Sequence, residues 1–137
     1  MPEPSFDSFL QQRRRVAAAF VNGDPQPLLD ISSTSDPATI LGPGGGAEQG
    51  AARVREVNTA AARQFHGGTT DLEILHSGTS GDLGYWTGFQ TALVRVDGKD
   101  QPVPMKLRVT ELFRREAGTW KLVHRHADPN GDAQAKH

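Results

Sequence analysis

The chain predicts an α+β fold in which helices cover one face of a curved antiparallel sheet. Three observations predict it. Apolar residues recur at helical spacing in the first half of the sequence, and the second half is a series of alternating runs separated by hairpin-type turns. At 137 residues the chain also has the size of one domain, read as 1–137 with an ordered core over about 5–128.

Phe6, Phe9, Leu10, Val16, Ala17 and Phe20 form one apolar stripe, which predicts a helix from Phe6 to Phe20. Asn22-Gly23-Asp24-Pro25 ends it, because Asn and Gly suit a helix C-terminus and Pro cannot extend the ladder. A short helix is expected from Pro25 to Asp30, and Ser32 to Asp36 reads as a turn. Ala38 to Leu41 suits a short strand feeding the loop Gly42-Pro43-Gly44-Gly45-Gly46. Ala51, Val54, Val57, Ala61 and Phe65 predict a longer helix from Glu48 to Phe65, which Gly67-Gly68 stops. Four strands then form a meander: Thr69 to His76, Leu83 to Val96, Val103 to Arg115 and Trp120 to Ala127. The polar run after Asp128 is expected to fray.

Composition excludes several function classes. Fifteen Lys plus Arg against 16 Asp plus Glu leave a net charge of -1, so there is no basic excess for nucleic acid or an anionic membrane. Cysteine is absent, which removes disulfides, thiolate metal sites and cysteine nucleophiles. The start, MPEPSFDSFL, holds no apolar run of signal-peptide length, and no segment approaches the ~20 apolar residues of a membrane span. A soluble cytoplasmic protein is the expectation.

The segment from Leu107 to Asp128, with Leu107-Arg108-Val109-Thr110-Glu111-Leu112-Phe113 and Trp120-Lys121-Leu122-Val123-His124-Arg125-His126, resembles the last hairpin of one branch of the nuclear transport factor 2-like superfamily. That branch includes ketosteroid isomerase-like and polyketide cyclase-like proteins and the association domain of calcium/calmodulin-dependent kinase II. Element order extends the resemblance from about Phe6 to Asp128. It implies a cone-shaped, cystatin-like fold with a pocket between the long helix and the concave sheet, and homodimers formed through the sheet. It does not imply one reaction, since such scaffolds carry isomerases, hydratases, hydrolases, cyclases and assembly modules.

Alternation places Met105, Leu107, Val109, Glu111 and Phe113 on one face of the third long strand, with Lys106, Arg108, Thr110, Leu112 and Arg114 on the other. The kinase association domain carries pocket arginines at the positions matching Gln90 and Thr110. By that resemblance, the face bearing Arg108 and Thr110 is expected to be concave. Arg108 is then the candidate clamp for a carboxylate or phosphate, which its planar fork can grip through two hydrogen bonds. The candidate substrate-binding set is Arg108, Gln90, Thr110, Trp86, Asn58 and Arg125.

His124 and His126 are the candidate catalytic residues, because imidazoles exchange protons near neutral pH. They alternate with Val123, Arg125 and Ala127, and either set could face the pocket; a bulge near Arg125 would exchange them. Either histidine could equally be bonded into a core or interface. The His-x-His pair could hold a metal with His66, His76 or Asp128, but no spacing brings these to the pair, so neither metal nor cofactor is expected.

Ketosteroid isomerases place their catalytic aspartate where this chain reads Ile40-Leu41-Gly42-Pro43, so that acid is missing. Asp30 and Asp36 would need an unexpected geometry to replace it, and Glu48 reads as a first-turn helix residue. The glycine run lacks a Walker ending and reads as a mobile lip over the cone mouth. Two readings result: an acid-base enzyme of isomerase, lyase, hydrolase or cyclase type acting on a small oxygenated or carboxylated compound, or a ligand-binding or dimerisation module without turnover. A homodimer is expected from Val109, Phe113, Trp120 and Leu122, taken as more apolar surface than one chain's helices can cover.

Overall fold

The computed structural model describes residues 5–130. The elements follow in the order α1 (Phe6–Val21), α2 (Gln26–Ile31), β1 (Thr39–Leu41), β2 (Ala47–Gln49), α3 (Ala51–Ala62), β3 (Phe65–Ser80), β4 (Leu83–Val96), β5 (Val103–Glu116) and β6 (Thr119–Pro129). They build a mixed α+β fold with one six-stranded curved sheet in the order β2-β1-β6-β5-β4-β3. The four long strands form the expected antiparallel meander, and β1 adds parallel to β6.

Helix α1 begins where Ser5 Oγ accepts a hydrogen bond from the Ser8 amide at 3.1 Å. Its buried stripe runs Phe6, Phe9, Leu10, Arg13, Val16 and Ala17. The aromatic end docks on the sheet: Phe6 lies 5.0 Å from Trp120 and 5.7 Å from Phe113, and Phe9 lies 5.1 Å from Phe113, all edge-on. This docking decides which sheet face is the inner one. An apolar helix stripe needs an apolar partner, so Val109, Glu111 and Phe113 face α1 and are buried, as is Trp86 on β4. The expected concave face of β5, the one with Arg108 and Thr110, is therefore the outer face.

The lip is a hairpin, with the Gly42 amide bonded to Gly46 O at 2.9 Å. Its return arm β2 is an additional strand and includes Glu48. Helix α3 consequently starts at Ala51, where Asp36 Oδ1 accepts the Ala51 amide at 2.7 Å. Asp36 is thus occupied as a helix cap, and Glu48 pairs with Arg53 at 2.9 Å instead of opening the helix. At the other end α3 stops at Ala62, so Phe65 begins β3.

Strand β6 carries the bulge that alternation left open. Phe113 pairs with Leu122 while Leu112 pairs with His124, which leaves Val123 as the extra residue. Leu122 and Arg125 then both reach the inner face, although they are three residues apart. Beyond Ala127, Pro129 closes the strand and the Asn130 amide bonds Lys106 O at 3.0 Å. The rest of the run expected to fray lies outside the described residues.

Candidate functional site

Between α1, α3 and the inner face of the sheet lies a cavity of about 320 Å³. Phe20 and Leu28 enter from the first two helices, Val54 and Val57 from α3, and Val94 and Met105 from the sheet. Arg55 Nη1 donates to Leu29 O at 2.8 Å and Ser32 O at 3.2 Å, tying α3 across the end of α2. Gly42 and Pro43 of the lip also line the cavity, and Asn58 adds an amide from α3.

The sheet end of the cavity is charged. Glu111 is fully buried and accepts from Arg13 Nε and Nη2, each at 2.9 Å, from Arg125 Nη1 at 2.8 Å and from Trp86 Nε1 at 2.7 Å. Arg125 Nη2 donates to Gln90 Oε1 at 2.7 Å, and Gln90 Nε2 donates to Thr70 Oγ1 at 3.1 Å. Both guanidiniums and Gln90 reach the cavity wall, whereas Glu111 and Trp86 lie behind it. Among the described residues Arg13 Nη1 has no hydrogen-bond partner, although the Arg13 side chain is only 5% exposed.

Electrostatics follow from this geometry. Burial pushes the Glu111 carboxyl up, but Arg13 and Arg125 outweigh it and hold the group at about 2. Burial, with the Arg13 charge, lowers Arg125 against the pull of Glu111. Two guanidiniums and one carboxylate leave one positive charge at this end. No Asp or Glu is among the described residues lining the cavity.

His124 borders the cavity where β6 meets β1, its Nδ1 2.5 Å from Thr39 Oγ1. Burial and then the neighbouring His126 lower its pKa below the ordinary imidazole value, which favours the neutral ring. By register it sits opposite Leu112, with His126 opposite Thr110.

The structure brings Gln90, Asn58, Arg125 and His124 together on one cavity and separates the rest of the expected set. Arg108, Thr110 and His126 lie on the outer face, around a separate shallow depression with Thr87 and Asp128. Arg108 donates there to Asp128 at 2.7 Å and 3.0 Å, and that carboxylate is held below its usual range by the bond to Arg108. Trp86 supports Glu111 instead of forming the wall. The other histidines lie elsewhere, His66 bonded to Asp97 and His76 to Tyr85. Among the described residues no three His, Asp or Glu side chains are grouped to hold a metal.

Arg13 was not named from the sequence as a site component, and Glu111 was placed as a carboxylate on the strand face opposite Arg108, away from the expected clamp. A signal existed for both. Arg13 falls in the helical stripe between Leu10 and Val16, and Glu111 is the single acid on an otherwise apolar strand face.

The family profile described as the SnoaL-like domain matches residues 11–128. Among curated proteins none matches the chain significantly in sequence. Solved structures agree in fold. A nuclear transport factor 2-like superfamily protein from Salmonella enterica superposes with a TM-score of 0.76 at 16% identity, over 90% of this chain and 89% of the other. A ketosteroid isomerase-like protein from Erwinia carotovora gives 0.71 at 18% identity, over 88% and 92%. A candidate scytalone dehydratase from Novosphingobium aromaticivorans gives 0.76 at 10% identity, over 91% and 83%.

Proposed function

The chain belongs to the SnoaL-like domain family, and from that premise we propose that it binds a small, largely apolar molecule, with an oxygen-bearing head against Arg13, Arg125, Gln90 and Asn58. The observation that carries this reading is the pairing of an apolar cavity of about 320 Å³ with convergent polar groups at one end, the ordinary build of a small-molecule site. Solved structures of this fold include a ketosteroid isomerase-like protein and a candidate scytalone dehydratase, which supports a small-molecule reading.

Ala61→Trp tests the reading, because Ala61 lines the cavity from α3 and an indole there would fill it. Apolar carboxylic acids, ketones and alcohols should raise the melting temperature of the wild-type chain and lose that effect in the variant. A panel without any binder for the wild type, or with equal shifts in both, would sink the proposal.

Turnover is a second reading, favoured by one observation: His124 is the imidazole among the described residues bordering the cavity, and burial lowers its pKa toward the neutral, proton-accepting ring. Glu111 is unsuited to act as a base, since four hydrogen bonds and two cations stabilise its ionised form. A proton-transfer enzyme built on His124 should exchange an α-hydrogen of its bound ligand with D2O, at a rate that falls as pH drops through a value below 6.5. Exchange unchanged in His124→Gln would remove His124 as the base, and exchange no faster than in buffer alone would leave the chain a binding module. We also place a second copy of the chain on the outer sheet face, where Leu75, Leu93 and Leu112 are exposed.

A further inference from the structure

Arg13 is 4% exposed and arrives from α1 with Nε and Nη2 committed to Glu111, while its Nη1 meets no protein acceptor among the described residues. Arg125 spends Nη1 on Glu111 and Nη2 on Gln90. One carboxylate therefore serves two guanidiniums, and the uncancelled charge lies at the wall of a space bordered mainly by apolar side chains. A cation so placed is poorly solvated and gains most from an anion that brings its own charge to the wall.

We infer that the cavity is a receptor for a monoanion, a single carboxylate on a largely apolar body, and that Glu111 determines this preference from behind the wall by cancelling one of two guanidinium charges. This rests on the binding reading above. A monocarboxylate brings the site to neutrality and can accept from Arg13 Nη1. A neutral amide leaves the positive charge in place, and a dicarboxylate carries a surplus negative charge into the cavity. Burial lowers Arg125, as expected for a cation short of an anion. Glu111 touches no ligand in this arrangement and acts as a specificity determinant through the two arginines.

A size-matched charge series on one ring separates these outcomes: isophthalamide, 3-carbamoylbenzoate and isophthalate, titrated calorimetrically at pH 7 into the full chain. The monoanion should bind at least about tenfold more tightly than either neighbour, a difference of about 1.4 kcal/mol. In Glu111→Gln the amide can keep the Trp86 bond, the site gains a positive charge, and the preference should move to the dianion by about tenfold. Should that variant fail to fold, Arg125→Met serves, since it leaves Arg13 and Glu111 as a neutral pair and should remove the advantage of the monoanion over the diamide. Nile red, a neutral apolar dye, separates failure of this inference from failure of the pocket. Dye that binds and is displaced with no charge preference, or an unchanged preference in both variants, overturns the inference and leaves the pocket. Exclusion of the dye and of all three compounds overturns both.

Discussion

A carboxyl group out of contact with water stays ionised only where nearby positive charge outweighs its lost hydration, and Glu111 meets that condition through Arg13 and Arg125. Because its pKa lies near 2 in the folded chain and near 4.5 when free, the ionised form stabilises the fold. The sign follows from proton uptake: the unfolded chain binds the proton first, so the contribution is complete above about 4.5 and disappears as pH falls toward 2. Its size is on the order of 3 kcal/mol. Urea unfolding at pH 7, 4.5 and 3 should show that loss in the wild type, and a flatter profile in Glu111→Gln would assign it. Removing one partner is costlier than neutralising the acid. Arg13→Ala leaves a buried carboxylate short of a cation and should destabilise the chain by about 3–5 kcal/mol, readable in the same titration. The charged cluster was partly legible beforehand. Gln90 and Arg125 could be named from strand position and resemblance, whereas Arg13 sits in Gln12-Arg13-Arg14-Arg15, a run that reads as solvated until its place in the stripe is counted.

Periodicity also determined how well each element could be read. Strand β4 begins and ends where alternation puts it, and β5 and β6 differ by one or two residues, because turns rich in Gly and Asp bound them. A single inserted residue at Val123 was not legible, since a bulge changes no residue type and only shifts which side chains share a face. The orientation of the sheet was not legible either: resemblance puts the Thr110 face of β5 at the pocket, whereas the apolar stripe of α1 requires the face of Val109, Glu111 and Phe113. Packing of α1 provides the test at this scale. A Cβ on Gly84 would come within 2.7 Å of the Phe6 ring, so Gly84→Ala has to displace the aromatic end of the helix. A loss of about 1–3 kcal/mol is expected by thermal or urea unfolding. Gly44→Ala in the lip meets nothing within 4 Å and should change stability by less than about 0.5 kcal/mol.

At the scale of the whole molecule, the two sheet faces are finished differently. The residues first expected to require a partner, Val109, Phe113, Trp120 and Leu122, are covered by the chain's own helices. The outer face is the one left open, with Leu75 at 59%, Leu93 at 50% and Leu112 at 40% exposure. The same face carries the Arg108–Asp128 pair and Lys106 over the Phe89 ring, so the exposed leucines are set among charged side chains, a mixed surface of the kind a twofold contact uses. A stable twofold contact buries roughly 800 Å² on each partner, which the outer face has to supply. The chain should therefore sediment as a dimer at micromolar concentration. Leu93→Asp combined with Leu112→Asp should make it a monomer, because placing like charges on a self-complementary face puts them opposite themselves or each other. Since both positions point away from the cavity, the double variant should keep its ligand affinity, as should Arg108→Ala. A wild-type chain that sediments only as a monomer would refute the contact, and ligand affinity lost with the dimer would mean that the inner cavity depends on the second copy.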